Sequence, residues 1–222
     1  MAASVSDEDI CNRALARLGI LRQVGVLASD DTRDALACRT LLTAGTGNLK
    51  RLVLRLFPWP FATRFQELVI DDTASTQVWS QAGWTYNWVY PSSTVKVRRV
   101  LNSEGKRPAE AIPFEVWAET TSAPRVFSNH YDLDPDDDVT KRLYVETTHD
   151  VTDQADWSIE GDEALVLLLA NQLSYALDVD AQKRAEVRQD AALWMSVAQR
   201  IAIAEEQEQK APDGEFIRGR FG

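Results

Sequence analysis

Four aspartates at alternating positions, Asp132, Asp134, Asp136 and Asp138, set out carboxylates much as a calcium loop does. Counted from Asp132, however, the sixth position is Asp137, where a glycine must make the turn. The twelfth is Leu143, where a bidentate glutamate must close the shell, so the stretch reads as a solvated acidic turn. Gly45-Thr46-Gly47-Asn48-Leu49-Lys50 resembles a phosphate loop, but it lacks the four-residue spacing and the Gly-Lys-Ser/Thr ending, and it lies inside a helical pattern. His130 and His149 are the only histidines; each has acids nearby and reads as a surface side chain. Cys11 and Cys38 sit in helical apolar patterns and read as buried free thiols. With no Cys-x-x-Cys or His-x-x-x-His, a metal has little to bind. No nucleophile elbow, dinucleotide fingerprint or His-Glu-x-x-His occurs. Among 34 acids, some pair could flank a glycosidic bond, but abundance alone is no evidence for it. The expectation is a protein that is not an enzyme and needs no metal or cofactor.

The seven tryptophans are the more unusual feature. Trp79, Trp84 and Trp88 cluster with Tyr86 and Tyr90 ahead of Pro91; the pattern suits aromatic cross-strand packing, with a carbohydrate- or base-stacking platform as the alternative.

Composition is globular: 222 residues, 45% hydrophobic and 26% charged. Net charge is −10 and uneven. Residues 1–62 hold 8 basic and 6 acidic side chains, residues 63–162 hold 9 and 18, and residues 163–222 hold 7 and 10. Acid concentrated mid-chain repels phosphate and argues against sequence-reading or tight nucleic-acid binding. The longest apolar run, Ala164 to Ala170, is far shorter than the roughly 18 to 20 residues of a membrane span. The opening Met1-Ala2-Ala3-Ser4 has no basic region before an apolar stretch, so a protein made and kept inside a cell is expected.

The elements that must position these residues fall into three blocks. Ser6 followed by Asp7, Glu8 and Asp9 predicts a capped first helix with Ile10, Ala14, Leu15 and Leu18 on one face, ended by Gly19. Asp30 or Asp31 is placed to cap a second helix, along which Cys38, Leu42, Gly45, Leu49, Leu52 and Leu56 repeat as a coiled-coil-like seam. Gly45 and Gly47 imply a kink or a close partner helix there, and Pro58 and Pro60 stop the helix.

From Arg64 to about Thr148 short β-rich runs replace the helical period: Phe65–Ile70, Thr85–Tyr90, Val95–Leu101, Ile112–Trp117, Arg125–Ser128 and Lys141–Thr147. Helix returns over Gly161–Leu177, apolar on several faces, and over Ala181–Gln207, where Val187, Ala191, Trp194, Ala198 and Ile201 keep heptad spacing. A helix apolar nearly all round must be covered by its own bundle or by a neighbouring subunit.

The predicted fold class is α+β, helical over residues 1–62 and 160–208, with an antiparallel β region at 63–159 and a tail at 209–222. In that tail Phe216, Ile217, Arg218, Arg220 and Phe221 suit either a frayed terminus or a docking peptide. Leu42, Leu49, Leu52, Leu56, Trp194 and Ile201 are the candidates for packing between helices or subunits. Pro58, Trp59, Pro60 and Phe61 are the candidate hinge between bundle and β region.

Several segments, in order, carry a family resemblance. They are Ile10-Cys11-Asn12-Arg13-Ala14-Leu15-Ala16-Arg17-Leu18-Gly19, a helix with Ala37-Cys38, and Leu54-Arg55-Leu56-Phe57-Pro58-Trp59-Pro60-Phe61-Ala62. After them come Trp88-Val89-Tyr90-Pro91 leading into Val95-Lys96-Val97-Arg98-Arg99-Val100, then Pro113-Phe114-Glu115-Val116 and a long C-terminal helix pair. Over roughly residues 6–208 this order resembles the tail tubular protein A family, the head-to-tail adaptors of short-tailed bacteriophages. Pro60 stands where the family's Pro-Trp-Asn-Phe-Ala core has asparagine, and Gly45-Thr46-Gly47 interrupts the second helix.

The resemblance implies a discontinuous helical bundle made from the N- and C-terminal helices with the β domain inserted between them, in a virion protein of the neck that is assembled in the host cytoplasm. It would form a homo-oligomeric ring of twelve subunits between the portal protein and the tail nozzle (tail tubular protein B type). Genomic DNA would pass through the ring without sequence recognition, and no membrane is involved. A repulsive acidic wall would let DNA slide. The competing readings are a head-closure connector of a long-tailed phage, a tail-associated cell-wall hydrolase, and a glycan-binding module built on Trp79, Trp84 and Trp88.

Overall fold

The structure, a computed structural model, describes residues 5–43, 48–70, 83–101, 111–117, 124–129, 132–134 and 137–209. The fold is α+β, a helical unit interrupted by an antiparallel β unit. The helical unit comprises the chain up to Ala62 together with Asp150–Ala204, and the β unit centres on Thr63–His149. Residues 150–159 therefore belong with the helices and not with the β region where the sequence pattern placed them. The reason is contact with distant parts of the helical unit: Lys50 Nζ donates to the Thr152 carbonyl, and the Trp157 ring packs on Phe61.

Helix α1 (Asp7–Arg17) starts in a full capping box, in which Ser6 Oγ accepts from the Asp9 amide and the Asp9 carboxylate accepts from the Ser6 amide at 3.0 Å. It ends in a Schellman turn: Gly19, at φ +77°, donates to Ala16, and Ile20 donates to Leu15. Only glycine takes that left-handed position without strain.

Helix α2 (Arg33–Thr43) is capped by Thr32, whose Oγ1 accepts from the Ala35 amide, and not by Asp30 or Asp31. Asp30 instead accepts from the Thr32 amide and sets up the turn. The single long second helix is not what forms. Asn48, outside helical geometry at ψ 118°, caps a separate α3 (Leu49–Leu56), with its side chain accepting from the Lys50 amide at 2.8 Å. Residues 44–47, with both glycines, lie outside the described residues. Restarting the helix resets its phase: Leu42 and Leu49 stay buried, but Val53 and Leu54 take over the inner face, while Leu52 and Leu56 turn outward.

Helix α4 (Ile159–Ala176), capped by Ser158, is the centre of this unit: α1, α2 and α3 all pack on it. Ala164, Leu165, Val166, Leu167, Leu169, Ala170 and Leu173 are buried. Most of its apolar circumference is thus filled within the chain, while Ile159 and Tyr175 are exposed. Arg33 donates to the Ala176 carbonyl at the C-terminal end of α4, a cation where the helix dipole favours one. Helix α5 (Ala181–Gln209) buries Val187, Ala191 and Ala198 at the expected seam spacing.

In the β unit one sheet runs β1 (Thr63–Val69), β8 (Asp137–His149), β3 (Thr94–Leu101), β4 (Ala111–Ile112), with β7 (Asp132–Asp134) also paired to β8. The other runs β2 (Tyr86–Val89), β6 (Arg125–Ser128), β5 (Phe114–Trp117). Every pairing is antiparallel. Both sheets feed one core of Leu68, Trp88, Val97, Val100, Val126, Leu143 and Val145.

The expected strand Ile112–Trp117 is split at Pro113 between the two sheets, because proline has no amide to donate to a ladder. In β3 the register slips between Val97 and Arg99, so Val97 and Val100 both reach the core although three residues apart. A bulge there absorbs the extra arginine that breaks the strict alternation.

Candidate interaction surface

Of the calcium-like stretch, Asp132 and Asp134 lie on β7 and Asp138 on β8, the two strands pairing through Asp134 and Asp137, while Asp136 lies outside the described residues. Among the described side chains, no three His, Cys, Asp or Glu gather as metal ligands. His130 lies outside the described residues, and His149 ends β8 half-buried.

Cys11 and Cys38 are free and fully buried. A hydrogen bond between the two thiols, with burial behind it, holds Cys11 well above the ordinary thiol range, so it is not a nucleophile at neutral pH. Trp88 sits at the centre of the β core with no exposed surface, which removes it from any stacking platform. Trp84 is half-buried with its indole N–H donating to Glu115, and Trp79 lies outside the described residues.

The Ile10–Gly19 segment acquires structural roles residue by residue. Ile10, Cys11, Ala14, Leu15 and Leu18 are buried. The Asn12 side chain accepts from the Val24 amide at 2.7 Å and donates to the Val24 carbonyl at 3.1 Å, pinning the loop that follows. Glu8 adds an acceptor for the Leu27 amide, and that bond holds its carboxyl below the usual range. Arg39 closes the same loop onto the Leu27 and Asp30 carbonyls. Arg13 and Arg17 both pair with Glu163 of α4.

The proline–tryptophan segment is equally built. Trp59 is buried and its indole N–H donates to the Val53 carbonyl at 2.8 Å. Rings follow in a chain: Phe57 to Trp59 at 5.4 Å, Trp59 to Phe61 at 5.9 Å, Phe61 to Trp157 at 5.4 Å. Pro58 is half-buried and Pro60 exposed. A Cβ on Gly161 would come within 3.0 Å of the Phe61 ring, so glycine admits this contact in the first turn of α4.

Trp157 was not among the residues that the sequence singled out. It repeats the Trp59 device, donating to the Val151 carbonyl at 3.1 Å. The only signal for it was another aromatic just ahead of a capping serine.

Around these rings lies a set of charges. Lys50, nearly buried, pairs with Asp7 at 2.6 Å, and Arg51 pairs with Asp150. Asp162 is buried in contact with the Gln154 amide; burial raises its pKa, against the Gln154 hydrogen bond and the nearby Arg13 and Lys50 charges, which lower it. These groups have structural partners.

Part of the exposed surface is apolar. Leu52 and Leu56 are 45% and 41% exposed, and Ile159 is 80% exposed. Trp194 and Ile201 of α5 are half-buried, and the Trp194 indole N–H finds no hydrogen-bond partner among the described residues. Phe216, Ile217, Arg218, Arg220 and Phe221 lie outside the described residues. Compared with known proteins, the chain matches no family model, and no curated protein matches it.

Proposed function

We propose that this chain is a structural subunit of a bacteriophage neck, an adaptor ring that joins the portal to the tail nozzle and surrounds the DNA path. The observation that carries the reading is the ordered run of segments from Ile10 to the C-terminal helix pair. It is supported by an α+β chain in which the helices before and after the β insertion build one unit. A central helix on which α1, α2 and α3 all pack suits a protein that works by holding shape.

In this reading Phe216, Ile217, Arg218, Arg220 and Phe221 form a peptide that docks on the portal or on a neighbouring subunit, two aromatics anchoring and the arginines bonding at the rim. Deleting residues 209–222 tests it. Portal binding in a pull-down should be lost while far-ultraviolet circular dichroism keeps its helical signal; unchanged binding sinks the docking role.

A further inference from the structure

The stretch from Asp150 to Glu163 carries acids and no base. Most of these acids have work inside the chain: Asp150 pairs with Arg51, Asp153 accepts from the Ala155 amide, Asp162 is buried against Gln154, and Glu163 pairs with Arg13 and Arg17. Asp156, exposed, and Glu160, half-buried, enter no ion pair among the described residues. Between them in sequence Ile159, the first residue of α4, is 80% exposed. An exposed isoleucine alone says little; flanked by two such acids it makes a patch whose complement is an apolar segment carrying cations. The chain contains that complement. Residues 216–222, Phe-Ile-Arg-Gly-Arg-Phe-Gly, hold three large apolar side chains and two arginines with no acid. At about 3.3 to 3.6 Å per extended residue, the chain between the end of α5 at Gln209 and Phe216 can carry this segment on the order of 20 Å from its own helix, enough to cross to an adjacent copy.

We propose that residues 216–222 of one copy dock on the start of α4 of a neighbouring copy, with Phe216 and Phe221 covering Ile159 and with Arg218 and Arg220 facing Asp156 and Glu160. The proposal rests on the adaptor reading only in taking the acceptor to be a second copy of this chain, and it makes that copy, not the portal, the receptor of the tail. Tail and patch are different surfaces of one chain, so their meeting is a heterologous contact, the kind that closes into a ring when the rotation per subunit allows. The aromatic rings supply the desolvated centre, and the charges set orientation and exclude mispairing.

The test mixes two full-length variants, one with Ile159→Cys and one with Ile217→Cys, under mild copper-catalysed oxidation. The native Cys11 and Cys38 are buried and stay out of the reaction. Neither chain carries both new thiols, so a disulfide joining position 217 to position 159, read by peptide mass spectrometry, forms only between copies. Its yield should be roughly tenfold above that of a control mixture in which Leu193→Cys, at an exposed position on α5, replaces Ile159→Cys, because docking raises the local concentration of the two thiols. Adding Arg218→Glu and Arg220→Glu to the Ile217→Cys chain should lower the yield to the control, and adding Asp156→Arg and Glu160→Arg to the acceptor chain should restore it. A yield no higher than the control, or a reversed pair that does not recover, overturns the proposal, as does a cross-link from position 217 that forms only with added portal protein. Portal binding is scored separately, by pull-down: a cross-link between copies that bind no portal keeps this contact and removes the adaptor reading, and portal-bound rings without the cross-link do the reverse.

Discussion

The chain leaves the helical unit after Ala62 and re-enters it at Asp150, and the two passages are built alike at their centres and differently at their edges. In each, a buried tryptophan donates its indole N–H to a carbonyl six residues behind it, Trp59 to Val53 and Trp157 to Val151. Phe61 bridges the two rings through contacts on both sides. The outgoing passage is fixed by covalent restriction, since Pro58 and Pro60 set their own φ and end α3. The returning passage is fixed by partners distant in sequence: Arg51 on Asp150, Lys50 on the Thr152 carbonyl, Phe61 on Trp157. Restriction built into a residue type is local; restriction by pairing exists only once the chain has folded.

That difference can be broken in graded ways. Trp59→Ala should cost about 3 to 5 kcal/mol in a urea melt, because it empties a ring-sized site and strips the Val53 carbonyl of its donor. Trp157→Ala should fall in the lower part of that range, being slightly more exposed. A loss under about 1 kcal/mol for Trp59→Ala would show that the outgoing passage stands on its prolines alone.

Gly161→Ala should cost about 1 to 3 kcal/mol by pushing its new methyl into Phe61. Adding Phe61→Leu should make the double change cost less than the sum of the two singles, since the two residues share one contact.

Asp162→Asn should raise the unfolding free energy at pH 7 by on the order of 1 kcal/mol. An amide can offer a proton to the Gln154 Oε1, which has no hydrogen-bond partner among the described residues, and it removes a buried charge. Because the native carboxyl holds its proton above the unfolded value, wild-type stability falls as pH rises through that window. The advantage of the variant should therefore shrink toward zero below it. An advantage independent of pH would show that packing and not charge accounts for it.

Arg51→Ala should be the smallest effect, under about 1 kcal/mol, because half of that side chain is in water, and it should fade with added salt. A larger, salt-independent loss would mean that the returning passage depends on this pair as strongly as the outgoing one depends on Trp59.

Legibility in the sequence followed the same division. Ser6, Gly19, the stop at Pro58 and the seam of Val187, Ala191 and Ala198 announce themselves through residue type or period, and each is where the pattern puts it. Leu52 and Leu56 misled because spacings of four and three ran on unbroken across residues 44–47, whereas Asn48 begins a new helix in a new phase. Pro113 was visible, but nothing local says that the strands on its two sides join different sheets. Trp157, Gly161 and the Arg99 pair with Glu146 owe their places to contacts far along the chain, which no window of residues contains.

The adaptor reading is tested most directly by electron microscopy of the full chain mixed with the portal protein from the same genome. The account predicts a twelve-fold ring stacked coaxially on the portal, with an open channel. A chain that stays monomeric beside unoccupied portals would contradict it.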